Sequence, residues 1–335
     1  MIGGVTLSPR SLPGRVTLSA GVAFCHVNDL RWGSPPGRDQ VHVERMKRLL
    51  PGLIHYNQSG YIPGRNISEN IRSILDIMKY TKVKKLPGLL LFIDFEKAFD
   101  SLEWDFLEKC LEKFNFGPDF RRWVHIFYND VQSCVINNGL CSHYFHIKRG
   151  VRQGDPLSPY LFVAAVEILA IAIRNQENIK GITIAGLETK LLQFADDTTA
   201  VLSDLDSARA LLALLERFEK TSGLKLNVTK TEAMWIGSLQ NCENEPLGIK
   251  CKTCVKFLGI YVTYDVQMSV EKNLKQRLQK IKNTINLWKS REKLLSIHGK
   301  VNIIKTLLFP QLIYPSSVLC TPHEVIKEFN SLRPC

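Results

Sequence analysis

The sequence lacks several features that would assign it to a particular class of protein. Residues 1–12 contain no apolar run of the length that a secretory leader needs, so we expect no leader there. The most apolar run, residues 157–173, contains Pro159 and Glu167, which predicts a buried helix instead of a membrane span. The nine cysteines form no spaced framework, which is typical of a reducing compartment. We therefore expect an intracellular protein with no membrane partner.

The cysteines also offer little support for a metal site. Cys251 and Cys254 form one CxxC pair, whereas a structural zinc site needs four ligands. No second pair, and no set of cysteines and histidines at zinc spacing, lies nearby in the sequence. The pattern therefore does not predict structural zinc.

Acidic residues are scarce relative to basic ones, since 32 Asp and Glu stand against 44 Lys and Arg. The net charge of +12 and the isoelectric point near 9.2 indicate a polyanionic partner, and nucleic acid is the first candidate. The charge is clustered, because residues 271–305 carry ten Lys and Arg against two Glu, a net +8. This clustering favours a nucleic-acid surface over general solubility.

Hydrophobic periodicity predicts a mixture of helices and strands. Residues 1–40 are rich in Gly, Pro, Ser and Arg without a sustained period, so we expect an irregular, disordered segment. Asn66 and Glu69 have the spacing of a capping box that begins a helix, and residues 79–85 are predicted to form a basic connector after it. Residues 89–95 form a continuous apolar run, which predicts a strand covered on both faces.

The rest of the chain continues this alternation. Asp100 and Glu103 are predicted to cap the next helix, and Asn138-Gly139 predicts a β-hairpin. The further predicted elements are a helix over 120–127, strands at 182–184 and 191–202 with a reversal at or beside 196–197, a helix over 211–218 ended by Gly223, strands at 234–236 and 257–262, and a basic helix from Val270. Their order approximates a split β-α-β-β-α-β unit.

Three aspartates carry the predicted chemistry. Asp94 ends an apolar strand, where a charge is costly unless it meets a metal ion or another partner. Asp196 and Asp197 lie in a second apolar strand context. Together with a carboxylate on a neighbouring strand, such a pair can hold two divalent ions about 4 Å apart, and Mg²⁺ suits carboxylate oxygens. An isolated Asp-Asp pair is more often a solvated turn, so the wider set of motifs must decide.

Six segments, in order, resemble the motifs of reverse transcriptases of LINE-type (non-LTR) retrotransposons. They are residues 57–65 (NQSGYIPGR, a finger motif), 93–101 (IDFEKAFDS, motif A), 150–159 (GVRQGDPLSP, motif B), 194–197 (FADD, motif C), 223–231 (motif D) and 257–260 (FLGI, the primer-grip hairpin). Residues 288–314 resemble the thumb of the same family. The resemblance covers about residues 44–322, and the ordered set is far more specific than any single motif.

This resemblance implies an α+β fold, a right-hand polymerase with fingers, a ferredoxin-like palm of antiparallel sheet and helices, and a helical thumb. The implied domains are an irregular N-terminal segment (1–40), partial fingers (41–88), a palm (89–264) with a fingers insertion near 131–150, and a basic, truncated thumb (265–335). Relatives carry an endonuclease ahead of this region and often a cysteine-histidine knuckle after it. Neither is recognisable, so we expect a fragment or a decayed copy.

The implied activity is RNA-directed DNA polymerisation. The enzyme would extend the 3′-hydroxyl of a DNA primer on an RNA template with deoxynucleoside triphosphates, using two Mg²⁺ ions or Mn²⁺ as a substitute. By resemblance, Asp94, Asp196 and Asp197 would hold the metals, with the backbone carbonyl of Phe95 as an extra ligand. Phe99 would lie under the incoming sugar and exclude a 2′-hydroxyl, although a core phenylalanine would look the same in sequence. The family places such proteins in the nucleus and cytoplasm.

The resemblance implies further contacts to nucleotide and primer. Gln153 and Gly154 would lie against the nascent base pair, where glycine permits close backbone approach. Arg65 is a candidate for the triphosphate, and Lys230 for protonation of pyrophosphate, although a solvated lysine is the simpler interpretation. The segment Phe257, Leu258 and Gly259 would press on the primer backbone, and Lys272, Lys275, Lys280 and Lys282 would contact template–primer phosphates.

Two alternatives stay open at this level. A catalytically silent RNA-binding relic, or a maturase-like protein, would keep the scaffold and the basic surface without synthesis. An RNA-copying RNA polymerase would share the same palm, and the bulky ring of Phe99 argues against it.

Overall fold

The computed structural model of the protein describes residues 16–18, 22–26 and 38–332. The strands are β1 (Val16–Leu18), β2 (Val22–His26), β3 (Pro87–Ile93), β4 (Gln132–Asn137), β5 (Leu140–Cys141), β6 (Phe145–His146), β7 (Ile182–Ile184), β8 (Leu187–Thr189), β9 (Leu191–Phe194), β10 (Asp197–Leu202), β11 (Glu232–Gly237), β12 (Lys250–Cys251), β13 (Cys254–Phe257) and β14 (Ile260–Thr263).

The helices alternate with these strands and then fill the C-terminal part. They are α1 (Arg38–Leu53), α2 (Ile67–Lys84), α3 (Ala98–Ser101), α4 (Trp104–Lys113), α5 (Pro118–Tyr128), α6 (Ser158–Asn175), α7 (Leu205–Ser222), α8 (Val266–Val270), α9 (Gln276–Lys289), α10 (Ile297–Ile303), α11 (Phe309–Val318) and α12 (His323–Ser331). The 3₁₀ turns are Pro246–Gly248 and Glu292–Leu294, and the π-helical turns are Glu271–Lys275 and Ile304–Leu308.

A five-stranded central sheet has the order β12-β11-β3-β10-β9, with β3 in the middle. Neighbouring strands are antiparallel except for the parallel pair of β11 with β12. Leu89 and Leu91 of β3 pack on one face, and Leu90 and Phe92 pack on the other. The predicted strand covered on both faces is therefore confirmed. The four strands β3, β9, β10 and β11 have the connections of the predicted split β-α-β-β-α-β unit.

Helices cover both faces of this sheet. Helix α2 packs on one face, and α4, α6 and α7 belong to the larger core on the other. Helix α6 is long and apolar enough to cross a membrane by composition alone, and it is the one such helix in the described residues. It is instead a core helix, because Phe162, Val166 and Leu169 are fully buried against its neighbours. The prediction of a buried helix is confirmed.

Two helix ends are formed by the residues that the sequence predicts. The Asn66 side chain accepts a hydrogen bond from the Ser68 amide at 2.9 Å and begins α2, as predicted. Helix α7 ends at Gly223, whose φ of 77° lies in the left-handed region that glycine favours. A side chain there would also meet the carbonyl oxygen of Ser101 at 2.3 Å.

Other predicted helix ends are wrong. The basic connector predicted at 79–85 is mostly the last turn and a half of α2, which ends at Lys84 with Lys85 as its C-cap. Thr81 is fully buried there. Asp100 does not cap a helix, since it lies inside α3 and its carboxylate accepts a hydrogen bond from Gln153. Glu103 occupies the N-cap position of α4 without a side-chain capping bond.

A second sheet has the order β1-β2-β4-β5, with β6 beside β4. Asn138 (φ 49°) and Gly139 (φ 83°) form the predicted hairpin turn between β4 and β5. The prediction that residues 1–40 are irregular is wrong for β1, β2 and the start of α1, and the remaining residues lie outside the described chain. The strands escaped prediction because β2 pairs with β4, more than a hundred residues away.

The C-terminal part differs from prediction in detail. The predicted strand over 257–262 is a hairpin of β13 and β14 that reverses at Leu258 (φ 46°) and Gly259 (φ 78°). The basic helix begins at Val266, earlier than the predicted Val270, and passes through the first π-helical turn into α9. Buried side chains from these helices form a small core of their own: Leu274, Leu278, Ile281, Leu308, Leu312 and Val325.

Because β3 is buried on both faces, truncation on either face should destabilise the fold. We expect Leu90→Ala and Leu91→Ala each to lower the free energy of unfolding by about 2–5 kcal/mol in urea denaturation. Leu187→Ala, at a side chain 55% exposed, is the matched control and should cost much less. A small effect at one of the two β3 positions would show that the sheet is not covered on that face.

Candidate active site

The pairing of two central strands brings the three predicted aspartates together. In the ladder between β10 and β3, Thr198 pairs with Ile93, so the next positions along, Asp197 and Asp94, are neighbours. Asp197 also pairs with Phe194 where β9 reverses into β10. The reversal consists of Ala195 and Asp196, which places Asp196 at the tip of the hairpin. All three carboxylates therefore lie at one end of the central sheet.

The backbone around Asp94 is held by the segment between α7 and β11. The Asn227 amide donates to the Asp94 carbonyl at 2.8 Å, and the Asp94 amide donates to Thr231 Oγ1 at 3.3 Å. Phe95 forms an isolated antiparallel bridge with Leu226. The backbone hydrogen bonds of this bridge flank Phe95, so its carbonyl takes no part in them. Sequence reasoning missed Asn227 and Thr231 as supports, although both lie in the motif D segment.

The three carboxylates repel one another. Burial, followed by repulsion from Asp196 and Asp94, raises the pKa of Asp197 to about 6. Burial is also the main cause that raises the pKa of Asp196, and the charge of Asp94 adds to it. The Asp197 side chain is nevertheless open to solvent on one side, so water screens part of this repulsion. Among the described ion pairs, none joins these aspartates to a lysine or arginine.

The uncompensated charge fits a cation, and carboxylate oxygens are the ligands that Mg²⁺ prefers. The family to which such motifs belong generally uses divalent metals. In the described residues, however, no three Asp, Glu, His or Cys side chains converge closely enough to enclose one ion. The three carboxylates come from adjacent strands and a turn at one end of the sheet. Side-chain rotation would therefore be needed to complete a coordination sphere.

The residues predicted to contact the nucleotide lie in two segments, one after β3 and one before α6. Phe99 is half-buried and stacks on Phe162 with ring centroids 4.3 Å apart and 14° between the planes. Its carbonyl accepts from the Val151 amide, which connects the segment to the loop before α6. Gln153 is exposed and donates to Asp100 at 3.0 Å. Gly154 has a φ of 93° with open space around it.

The predicted triphosphate and pyrophosphate residues gain no support from their contacts. Both terminal nitrogens of Arg65 donate to main-chain carbonyls, including Ile54 at 2.7 Å and Gln58 at 2.6 Å. A phosphate contact would require some of these bonds to break. Lys230 is exposed in the turn before β11. Both roles therefore stay predictions.

The predicted primer-grip segment forms a hairpin held from the C-terminal helices. Phe257 is buried against Phe92, and the Leu258 carbonyl accepts from the Tyr314 hydroxyl at 2.7 Å. Arg277 donates to the Gly259 carbonyl, and burial lowers the pKa of this guanidinium. Sequence reasoning missed Arg277 and Tyr314 as supports of the turn, because only their contacts distinguish them from neighbouring residues.

The four lysines predicted to contact template–primer phosphates are not equivalent. Lys275 and Lys280 are exposed, and Lys275 lies 3.9 Å from Glu271. Lys282 forms an ion pair with Glu328 of α12. The ammonium of Lys272 lies over the Tyr261 ring, 5.1 Å from its centroid. Lys275 and Lys280 are therefore the most open of the four to an external phosphate.

The fold and the aspartate set define a polymerase-like protein with mixed helices and sheet. A family model described as "Reverse transcriptase (RNA-dependent DNA polymerase)" matches residues 39–262. The chain belongs to this reverse transcriptase family, which consists of nucleotidyltransferases. The resemblance to LINE-type (non-LTR) elements is confirmed by its relatives.

Two of these relatives show the relationship. The chain is 28% identical over 290 residues to the transposon TX1 uncharacterized 149 kDa protein of Xenopus laevis, a match that covers 85% of this chain and 22% of that protein. It is 26% identical over 183 residues to the Pol polyprotein of the type-1 retrotransposable element R2 of Nasonia vitripennis, covering 55% and 18%. The chain spans about a fifth of the length of these curated relatives.

A solved structure shows the same fold. Telomerase from Candida tropicalis, in a complex with the TWJ fragment of telomeric RNA, superposes with a TM-score of 0.52 at 16% identity. The match covers 91% of this chain and 50% of the telomerase chain. At this identity the likeness shows the fold alone.

The raised pKa of Asp197 predicts a pH-dependent cost to the metal-free fold. A folded-state pKa of about 6, above the ordinary 3.8, means that the stability present below pH 3.8 is lost as the pH rises through 6. We expect Asp197→Asn to melt at a higher temperature than the wild type at pH 7.5 in EDTA. The difference should disappear near pH 4. Asp76→Asn, on the exposed face of α2, is the control. An equal melting temperature for the wild type and Asp197→Asn at pH 7.5 would contradict the raised pKa of Asp197.

Proposed function

We propose that this chain is an RNA-directed DNA polymerase that extends the 3′-hydroxyl of a primer on an RNA template by two-metal nucleotidyl transfer. The observation that carries the proposal is the meeting of Asp94, Asp196 and Asp197 at one end of the central sheet. Family membership supports the reaction class. The fold likeness to a telomerase supports the scaffold alone.

Asp94, Asp196 and Asp197 would hold two Mg²⁺ ions, with the carbonyl of Phe95 as a further ligand and Mn²⁺ as a substitute. When bound, the ions lower the pKa of the attacking hydroxyl and stabilise the charge on the leaving pyrophosphate. The protein supplies placement, because the ladder of β3 and β10 fixes the spacing between Asp94 and Asp197. The raised pKa of Asp197 would fall when a cation offsets the repulsion, so all three groups would be ionised in the working enzyme.

The fold can be assigned to the parts of a right-hand polymerase on this proposal. The central sheet with α4, α6 and α7 would be the palm, and α1, α2 and the second sheet would belong to the fingers. The helices from α8 onward would form the thumb, whose exposed Lys275 and Lys280 would contact template–primer phosphates. The substrates would be an RNA template, a DNA primer and deoxynucleoside triphosphates. The protein would act in the nucleus and cytoplasm.

Primer extension tests the polymerase directly. With an RNA template, a DNA primer, dNTPs and Mg²⁺, the wild type should extend the primer. Asp196→Asn/Asp197→Asn should lose about 10³-fold or more, because removal of the ligands forfeits several kcal/mol of charge stabilisation. Asp206→Asn, an exposed aspartate in the first turn of α7, should extend like the wild type. A folded wild type that binds template–primer without extending it would instead indicate a silent RNA-binding protein.

The stacking of Phe99 on Phe162 predicts a rigid wall beneath the sugar. We expect Phe99→Val to lower the preference for dNTPs over rNTPs by about 10-fold or more, because a smaller side chain leaves room for a 2′-hydroxyl. Phe99→Tyr retains the ring and should keep the preference. The measurement is kcat/KM for each nucleotide on one template. An unchanged preference in Phe99→Val would assign Phe99 to the core alone.

A further inference from the structure

A short segment, residues 57–60, lies along the outer edge of β9 beside the aspartate hairpin. The Gln193 amide donates to the Asn57 carbonyl at 2.8 Å, and the Ser59 amide donates to the Gln193 carbonyl at 2.9 Å. Gln58 and Gln193 accordingly form an isolated parallel bridge. The segment therefore extends the central sheet past β9, close to the reversal that carries Asp196. We call residues 57–60 the edge segment.

The side chain of Gln58 holds the reversal itself. Its Oε1 accepts hydrogen bonds from the amides of Ala195 and Gly60, each at 2.8 Å. Its Nε2 donates to the Ala195 carbonyl at 3.3 Å. One side-chain amide thus binds both the N–H and the C=O of the residue before Asp196. Gln58 is only 1% exposed, so water cannot take over these bonds.

The reversal needs such support because its backbone is strained. Ala195 has a φ of 54°, a left-handed conformation that costs a residue with a Cβ roughly 1–2 kcal/mol. Strained residues of this kind persist where surrounding structure determines them. The strained Ala195 lies immediately before Asp196, so a change in its conformation would redirect the Asp196 carboxylate.

The edge segment is itself fixed in two ways. A Cβ at Gly60 would lie 2.3 Å from the Ala195 nitrogen, so only glycine allows this close approach. Arg65 donates to the Gln58 carbonyl and to the Ile54 carbonyl near the end of α1. The guanidinium therefore ties the edge segment to a helix of the larger core. The guanidinium predicted to bind a phosphate therefore binds these carbonyl groups instead.

We propose that Gln58 is a positioning residue of the active site, which holds Ala195 and Asp196 in the geometry that a divalent ion requires. It acts through the hairpin and touches neither substrate nor metal. The inference rests on the proposed polymerase function, since it assigns Asp196 to metal binding. A purely structural role, in which any buried amide at this edge would matter equally, is the alternative to be separated from it.

Asn70 supplies the matched control for that separation. Its side chain is also buried and donates to the Gln193 carbonyl at 2.7 Å, on the same strand, two residues before Ala195. Gln58→Met and Asn70→Leu each replace a buried amide by an apolar side chain of similar size. Both should lower the melting temperature. Only Gln58→Met should alter the aspartate hairpin.

The experiment measures Mn²⁺ binding by electron paramagnetic resonance of the free ion, with Asp196→Asn/Asp197→Asn defining the signal from other sites. We expect Gln58→Met to weaken binding at the aspartates by about 10-fold, a difference of about 1.4 kcal/mol. The Mg²⁺ concentration for half-maximal primer extension should rise by a similar factor. Amide exchange at Ala195 and Asp196 should become faster. Asn70→Leu should leave all three readouts at the wild-type level.

The outcomes separate this inference from the proposed function. Equal effects of the two variants, or wild-type metal binding in Gln58→Met, would overturn the positioning role even in an active polymerase. A wild type that binds Mn²⁺ at the aspartates without extending primers would overturn the proposed function, and binding would still test Gln58. Absence of any Mn²⁺ signal attributable to Asp196 and Asp197 would overturn both.

A second variant covers the case in which Gln58→Met does not fold. Gln58→Glu keeps an oxygen that accepts from the Ala195 and Gly60 amides, loses the donor to the Ala195 carbonyl and adds a negative charge. If geometry decides, the Mg²⁺ concentration for half-maximal extension should rise in this variant. If the added negative charge alone decided, that concentration would fall, because the charge attracts cations. A lower Mg²⁺ requirement in Gln58→Glu would therefore contradict the positioning role.

Discussion

The backbone ladder between β3 and β10 is the interaction on which the rest of the site depends. It is the ladder that makes Asp94 and Asp197 neighbours, although a hundred residues separate them in the chain. Burying a carboxylate and bringing like charges together are both costly, and the raised pKa of Asp197 reflects burial first and repulsion second. The ladder tolerates it because both faces of β3 are buried under helices, which supplies far more free energy than the repulsion removes. The fold thus holds three carboxylates together, although in the metal-free protein their charges do not stabilise it.

The backbone around the three aspartates is held by segments that lie outside the regular helices and strands. The motif D segment holds the backbone of Asp94 through Asn227 and Thr231, and the edge segment holds Ala195 through Gln58. Both use short-range polar contacts with the ends of strands. Active sites require such precise support, because a small displacement of a metal-binding side chain weakens the stabilisation of charge in the transition state.

The sequence was informative wherever local chemistry decides the structure. The apolar run of β3, the Asn138-Gly139 turn and the glycine after α7 could be predicted because each depends on residues within a few positions. Strand β2 and the edge segment could not, since they pair with residues more than a hundred positions away in the chain. Arg65 shows the same limit in the site. A guanidinium can bind either phosphate or carbonyl oxygens, and the sequence does not tell which partner is present. Only the fold shows that Arg65 contacts four main-chain carbonyls.

The contacts of Arg277 and Tyr314 have a mechanical consequence. These side chains come from two different C-terminal helices, and both bind the turn at Leu258 and Gly259. A tilt of those helices would drag the hairpin with it, because two independent hydrogen bonds resist separation. The hairpin is in turn packed on Phe92 of the central sheet. A movement of either helix would thus reach the central sheet through the hairpin.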